Sequence, residues 1–242
     1  MSELLAVVEA RASADGVAWL RESSVAVGRD AAVIRSRFPA VGRKLGRGLL
    51  RAGGDPEDVH AWTLEDAGRT LLLVALGERV GEEVEDLYRF GDAAERRGLL
   101  RALPFLGLDG DPRAVALVED AIRSNDVRLI AAALGPFATA QLSDAAYDHA
   151  VLKCVFVGVP IAALDGVPAR VTADGARMLA AFVHERVAAG RDVPAEVWQV
   201  IDKYPPQDEL AAIEAELQSP FEDRRRAAAR ALSARPKTGG LV

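Results

Sequence analysis

The sequence predicts an all-α fold. Good helix formers such as Ala and Leu are frequent, aromatic residues make up only 5% of the chain, and apolar–polar alternation with a period of two is rare. Helix-length segments follow one another along the whole chain, with capping residues or glycines at their ends. Many short helices with short connectors favour stacked antiparallel pairs. The prediction is an irregular α-α superhelix, a HEAT- or armadillo-like stack.

The predicted helices cover, in chain order, residues 2–12, 16–26, 29–37, 40–51, 63–76, 80–89, 92–103, 112–124, 126–134, 144–157, 172–189, 194–203, 207–218 and 220–234. A capping residue stands before a proline, the arrangement typical of a first helical position, at Asp55-Pro56, Asp111-Pro112 and Ser219-Pro220. Three predicted ends are followed by glycine, at Gly91, Gly135 and Gly190. No strict internal period is visible. We expect one domain over residues 1–234 and a frayed tail over 235–242.

The bulk composition limits the class of protein. The chain has 242 residues and a formal net charge of −6, which argues against a dedicated nucleic-acid binder because phosphate neutralisation usually needs a basic face. Its single cysteine excludes an internal disulfide and fits a reducing compartment. The first residues carry acids and no basic cluster, unlike a secretory signal. No apolar run reaches the roughly 18 residues of a spanning helix. We expect a cytoplasmic protein.

The longest apolar run, "YDHAVLKCVFVGVPI" at 147–161, contains the only cysteine, Cys154, close to His149. Five residues along a helix separate two side chains by about 140° around its axis, and an odd separation along a strand places them on opposite faces. Neither conformation makes the pair a local catalytic dyad. His60 or His184 could approach Cys154 only through the fold. The sequence therefore predicts that Cys154 is a core residue.

Sequence motifs for catalysis or cofactor binding are missing. The three histidines form no HExxH motif, and the chain contains no GxSxG elbow and no Walker loop. We therefore predict no catalytic residue, no metal and no cofactor. These absences favour a non-enzymatic function over an enzymatic one.

Basic residues are concentrated between positions 29 and 51, where Asp30 is the single acid. On the predicted helix 40–51, three arginines recur at i, i+4 and i+8, opposite an apolar row. The pattern is open to two interpretations: a site for phosphate, diphosphate or an acidic membrane surface, or a solvated basic face. The candidate anion-binding residues are Arg43, Lys44, Arg47 and Arg51.

Five segments together resemble the EboA family: "LYRFGD" (87–92), "LLRALPFL" (99–106), "RSND" (123–126), "LKCVFVGVPI" (152–161) and "HERVAAGRDVPAEVW" (184–198). Members of that family are encoded in Ebo-type operons, beside a prenyltransferase-like membrane protein and hydrolase- and isomerase-like enzymes. The resemblance implies an accessory role in the synthesis or export of a small metabolite, such as an isoprenoid conjugate. It implies no catalytic mechanism for this chain.

Two functional hypotheses follow. The first is a non-enzymatic helical scaffold that docks other operon proteins or chaperones the metabolite. The alternative is an enzyme or carrier that binds a phosphorylated or isoprenoid small molecule in an interhelical groove. Protein partners would favour the first hypothesis and a copurifying small molecule the second.

Lys153 is the most conspicuous residue of the predicted helix 144–157. Apolar side chains cover most directions of this helix, which predicts burial, whereas His149 and Lys153 form a narrow polar stripe at i and i+4. A lysine on a mostly buried helix must reach water, pair with a carboxylate or face a groove. We predict that Lys153 lines a ligand or partner groove and pairs with Glu185. The simpler alternative is a solvent-facing stripe or a structural ion pair. The predicted groove residues are Lys153, His149, Arg123, Asn125, Glu185 and Arg186.

Overall fold

The computed structural model describes residues 1–236, except for the side chain of Ala163. It is 70% helical, and the described residues form 15 α-helices and no strand. An isolated antiparallel bridge between Leu49 and Thr63 is the only β-type pairing within that range. The predicted all-α class is therefore confirmed, and the superhelical stack stays a prediction. No helix in the described range is both long and apolar enough to cross a membrane.

The chain divides into two compact units, Met1–Gln141 and Leu142–Val242. The first unit contains ten α-helices: α1 Ser2–Arg11, α2 Ala14–Arg29, α3 Ile34–Arg37, α4 Val41–Leu45, α5 Leu64–Ala75, α6 Val80–Phe90, α7 Ala93–Ala102, α8 Pro112–Arg123, α9 Val127–Ala133 and α10 Pro136–Gln141. Short 3-10 turns precede α3 and α6 and follow α7, at Ala31–Val33, Gly77–Arg79 and Leu103–Phe105.

Helix α5 lies at the centre of the first unit, where it packs against α1, α2, α4 and α7. It starts with a capping box: the Thr63 hydroxyl accepts from the Asp66 backbone N–H (3.2 Å), and the Asp66 carboxylate accepts from the Thr63 N–H (3.0 Å). Most of its side chains are buried, including the fully buried Leu72 and Leu73. The apolar faces of its neighbours therefore close around a helix that is itself buried on nearly all sides.

The predicted helix 40–51 is wrong in its second half. Helix α4 ends at Leu45 because Gly46 has φ +92°, a conformation that favours glycine and breaks the helical hydrogen bonding. Residues 46–63 then run as a loop to α5, so the arginines at 43, 47 and 51 do not form a helical row.

The second unit contains five α-helices: α11 Asp144–Val157, α12 Ala173–Ala188, α13 Trp198–Ile201, α14 Gln207–Ala215 and α15 Glu222–Ser233. Three 3-10 turns adjoin them, at Ile161–Ala163, Ala195–Val197 and Glu216–Gln218. Helix α12 is central and packs against the other four. The fully buried Trp198 donates its indole N–H to the Ala231 carbonyl (2.9 Å), which joins α13 to α15.

The predicted helix boundaries agree with the structure to different degrees. The predicted helix 144–157 coincides with α11, and Asp111 caps α8 as expected, whereas α10 was not predicted. Asp55 starts no helix, since its carboxylate accepts only from the Glu57 N–H in a local turn. Ser219 precedes the start of α15 by three residues, and Phe221 is the N-cap.

The predicted frayed tail, 235–242, lies outside the described residues from 237 onward. Its first residue is held in place: the Arg235 guanidinium pairs with the Asp202 carboxylate (2.7 Å) and lies over the Trp198 ring at 5.3 Å.

Candidate functional site

Helix α11 presents two faces of different character. Ser143 caps its first turn by accepting from the Ala146 N–H (3.2 Å), and the helix ends at Gly158, which has φ +84°. The buried face includes Val151 and Cys154. The opposite stripe runs at i, i+3, i+4 and i+7 and consists of His149, Leu152, Lys153 and Phe156.

Phe156 corrects the expectation that the apolar residues of α11 are buried and that only a narrow polar stripe is exposed. This residue is 73% exposed, although apolar residues of this size are usually inside. Apolar residues are distributed evenly around this helix, and a helical wheel does not distinguish an apolar residue in the core from one on an apolar surface. The exposure of Phe156 could therefore not be predicted from the apolar pattern.

A buried carboxylate joins α11 to α12. Asp148, 3% exposed, accepts hydrogen bonds from the backbone N–H (3.2 Å) and the hydroxyl of Thr172, the N-cap of α12. Gly175 allows the approach, since a Cβ there would lie 2.5 Å from Asp148 Cγ and 2.6 Å from a Val171 methyl. The first turn of α12 is thereby fixed against α11.

The groove between α11 and α12 measures about 500 Å³. Small-molecule sites typically have volumes of about 300–1,000 Å³. Its apolar surface comes from both helices, and titratable side chains stand beside it. The apolar residues are Leu152, Phe156, Met178, Ala181 and Phe182; the polar ones are His149, Lys153, Arg177 and Glu185. This α11–α12 groove can hold a molecule with an apolar body and an anionic group, because Lys153 and Arg177 place charged donors beside its apolar surface. Arg177 also pairs with Asp174 (3.5 Å).

Of the six predicted groove residues, the structure places Lys153, His149 and Glu185 together in this groove. Arg186 lies nearby on α12, where it donates to the Asp192 carbonyl (2.8 Å) and its guanidinium lies 5.9 Å from the Phe182 ring centre. Arg123 and Asn125 belong to the first unit, at the end of α8 and in the connector that follows.

Cys154 is a core residue, as predicted. It is fully buried, and burial raises the pKa of its thiol to about 12, so the reactive thiolate does not form near neutral pH. His149 lies on the exposed stripe, and its Nδ1 is 2.7 Å from the Ala145 carbonyl oxygen. The pair is not arranged as nucleophile and base.

The basic segment is distributed over α4 and the loop that follows. Arg43 and Lys44 are exposed in the last turn of α4, and the exposed Arg47 lies 3.9 Å from the Glu65 carboxylate. Arg51 lines a cavity of about 460 Å³ formed by the loop, beside Asp55. The role of these residues as an anion site stays a prediction.

A buried ion cluster in the first unit was not predicted. Asp66, fully buried, pairs with Arg97 (3.0 Å) and Arg101 (2.5 Å), and Glu65 pairs with Arg69 (3.4 Å) and Arg97 (3.2 Å). The cluster joins α5 to α7. One sequence signal was available: in "LLRALPFL" an arginine stands inside an apolar run, where an unpaired charge would be costly.

Arg101 also fixes the loop that precedes α5. Its guanidinium donates to the carbonyls of Ala61 (2.7 Å) and Val59 (2.8 Å) and lies 5.8 Å from the Trp62 ring centre. Burial lowers the pKa of this arginine, and the adjacent Asp66 opposes that effect. Burial, with a smaller contribution from Arg101, also lowers the pKa of His60, so this imidazole is neutral at neutral pH.

The fold and the groove define a class: an all-α protein with an amphipathic groove between two of its helices. In the described range, no three His, Cys, Asp or Glu side chains are grouped as a metal site requires. The chain belongs to the EboA family, since the family model described as "Metabolite traffic protein EboA" matches residues 1–202. That match covers the first unit and the part of the second that contains α11, α12 and their groove. No curated protein and no solved structure matches the chain significantly.

Proposed function

We propose that this protein is a non-enzymatic accessory protein of metabolite traffic that holds an amphipathic, anionic small molecule in the α11–α12 groove. The observation that carries the proposal is the exposed Phe156 beside Lys153 in a groove of small-molecule size. An exposed phenyl ring loses contact with water when an apolar group covers it, which is favourable by about 25 cal/mol for each Å² removed from water.

The charges around the groove support an anionic head group. Lys153 and Arg177 supply positive charges, although Arg177 also pairs with Asp174 (3.5 Å), and Glu185 is the one carboxylate among the lining residues. A phosphorylated or isoprenoid molecule combines the two required properties, an anionic end and an apolar chain. The family description, a metabolite traffic protein, supports a role in holding or transferring such a molecule rather than converting it.

A second candidate is the docking of another protein of an Ebo-type operon on the same surface. The 73% exposure of Phe156 favours it, because aromatic residues that stand out from a surface often anchor protein interfaces. A pull-down from cells that carry the whole operon distinguishes the candidates: a protein partner supports docking, and a copurifying small molecule supports the carrier.

Complementation of an operon deletion tests the importance of the groove. Lys153→Met removes the cation and Phe156→Ser the exposed ring, and both should abolish operon function while the helical spectrum stays unchanged, since neither side chain is buried. Arg191→Met is the control, because it removes one positive charge from an exposed site of the same unit outside the groove. Full complementation by both groove variants would contradict the proposal.

A further inference from the structure

A second groove lies on the first unit, between α6 and α8, with a volume of about 530 Å³. Its apolar part is formed by Pro112, Ala116 and Leu117 of α8. Charged side chains from three helices surround this apolar strip. They are four arginines, Arg89, Arg96, Arg113 and Arg123, and two carboxylates, Glu85 and Asp120. The α6–α8 groove therefore has an excess of positive charge.

Two of the arginines are already neutralised. Arg113 pairs with Asp111 (2.8 Å), and Arg123 pairs with one oxygen of Asp120 (3.1 Å). The other Asp120 oxygen accepts from the hydroxyl of Tyr88 (3.1 Å). Burial and the Asp120 charge raise the pKa of Tyr88 to about 12, so this hydroxyl keeps its proton and continues to donate to Asp120.

The other two arginines have no carboxylate oxygen within 4.0 Å among residues 1–236. Arg96 is partly buried and held rigidly: it donates to the carbonyls of Gly91 (3.0 Å) and Arg89 (3.1 Å), and its guanidinium lies 5.1 Å from the Tyr88 ring centre. Arg89 is exposed beside it, with its guanidinium 5.6 Å from the Phe90 ring centre. A fixed guanidinium without a counter-ion has spare donors and lacks the compensation that a partly desolvated charge needs.

We propose that the α6–α8 groove binds the phosphate or diphosphate group of a small phosphorylated molecule. Arg96 supplies the preorganised contact, Arg89 the adaptable one, and the apolar strip around Leu117 accepts the body of the molecule. Arginine suits this task because its planar fork of donors matches phosphate oxygens. The site lies on a different unit from the α11–α12 groove, and it stands or falls independently of the function proposed there.

Calorimetric titration of the full chain with inorganic pyrophosphate tests this site. At low salt the parent should bind with one saturable site, and affinity should fall as salt rises. Arg96→Gln and Arg89→Gln should each weaken binding about tenfold or more, the usual effect of losing a charged hydrogen bond. Arg128→Gln, which removes an exposed arginine of α9 outside the groove, should bind like the parent.

Three results would overturn the proposal: no binding by the parent at low salt, an equal loss in Arg128→Gln, or parental affinity in both groove variants. Arg96→Gln also removes two hydrogen bonds to backbone carbonyls, so its far-UV spectrum must match the parent before its affinity is compared. Arg89 is exposed, so Arg89→Gln keeps the test decisive if Arg96→Gln does not fold.

Discussion

Single residues of the ion cluster between α5 and α7 show what spacing along the chain can and cannot predict. Thr63 and Asp66 have the spacing of a capping box, which is visible in the sequence. The arginine partners of Asp66 lie 31 and 35 residues further on, and the pairs form only because α5 packs against α7. Local spacing does not encode that packing, so the cluster could not be located from the sequence.

Removal of one carboxylate from this cluster should destabilise the first unit strongly. Asp66→Asn leaves Arg101 buried without its counter-ion, and breaking a buried pair in this way costs about 3–5 kcal/mol. Urea unfolding followed by circular dichroism measures the loss. The control is Glu9→Gln, which removes an exposed ion pair with Arg21 and should cost less than about 1 kcal/mol. An equal effect of the two changes would mean that burial of the cluster does not matter.

At the scale of helices, the capping residues and glycines explain which predicted helix boundaries are correct. The predicted helix 144–157 coincides with α11 because a serine cap and a left-handed glycine stand at its two ends. The predicted helix 40–51 failed although its apolar spacing was helical, since Gly46 and Gly48 lower helix propensity and Gly46 adopts positive φ. In this segment the backbone preference of glycine outweighs the side-chain pattern.

Substitution of Gly175 tests the contact of α11 with α12, and substitution of Gly28 on α2 is its control. Gly175→Ala places a Cβ 2.5 Å from Asp148 Cγ, so the helices must separate, and overpacking of this kind costs about 1–3 kcal/mol. Gly28→Ala, in the last turns of α2, meets its nearest atom at an ordinary 3.5 Å and should be neutral or stabilising by up to about 1 kcal/mol. Thermal unfolding compares them, and stabilisation by Gly175→Ala would contradict the contact.

At the scale of the whole molecule, the sequence predicted the fold class and part of the candidate site. Lys153, His149 and Glu185 line one groove, because His149 and Lys153 share a helical stripe and Glu185 lies on the neighbouring helix α12. Arg123 and Asn125 were included for the motif that contains them, and they belong to the first unit. Motif order along a chain does not give distances in space. The exposed Phe156 was missed because the apolar pattern assigned it to the core.

Native mass spectrometry of freshly purified protein, from cells that carry the whole operon, tests the central claim most directly. If the α11–α12 groove holds an amphipathic metabolite, the parent should show the mass of the chain plus one small molecule. The added mass should be lost in Lys153→Met and Phe156→Ser and kept in Arg191→Met. A parent that appears only as the bare chain, or a small molecule that both groove variants retain, would contradict the account.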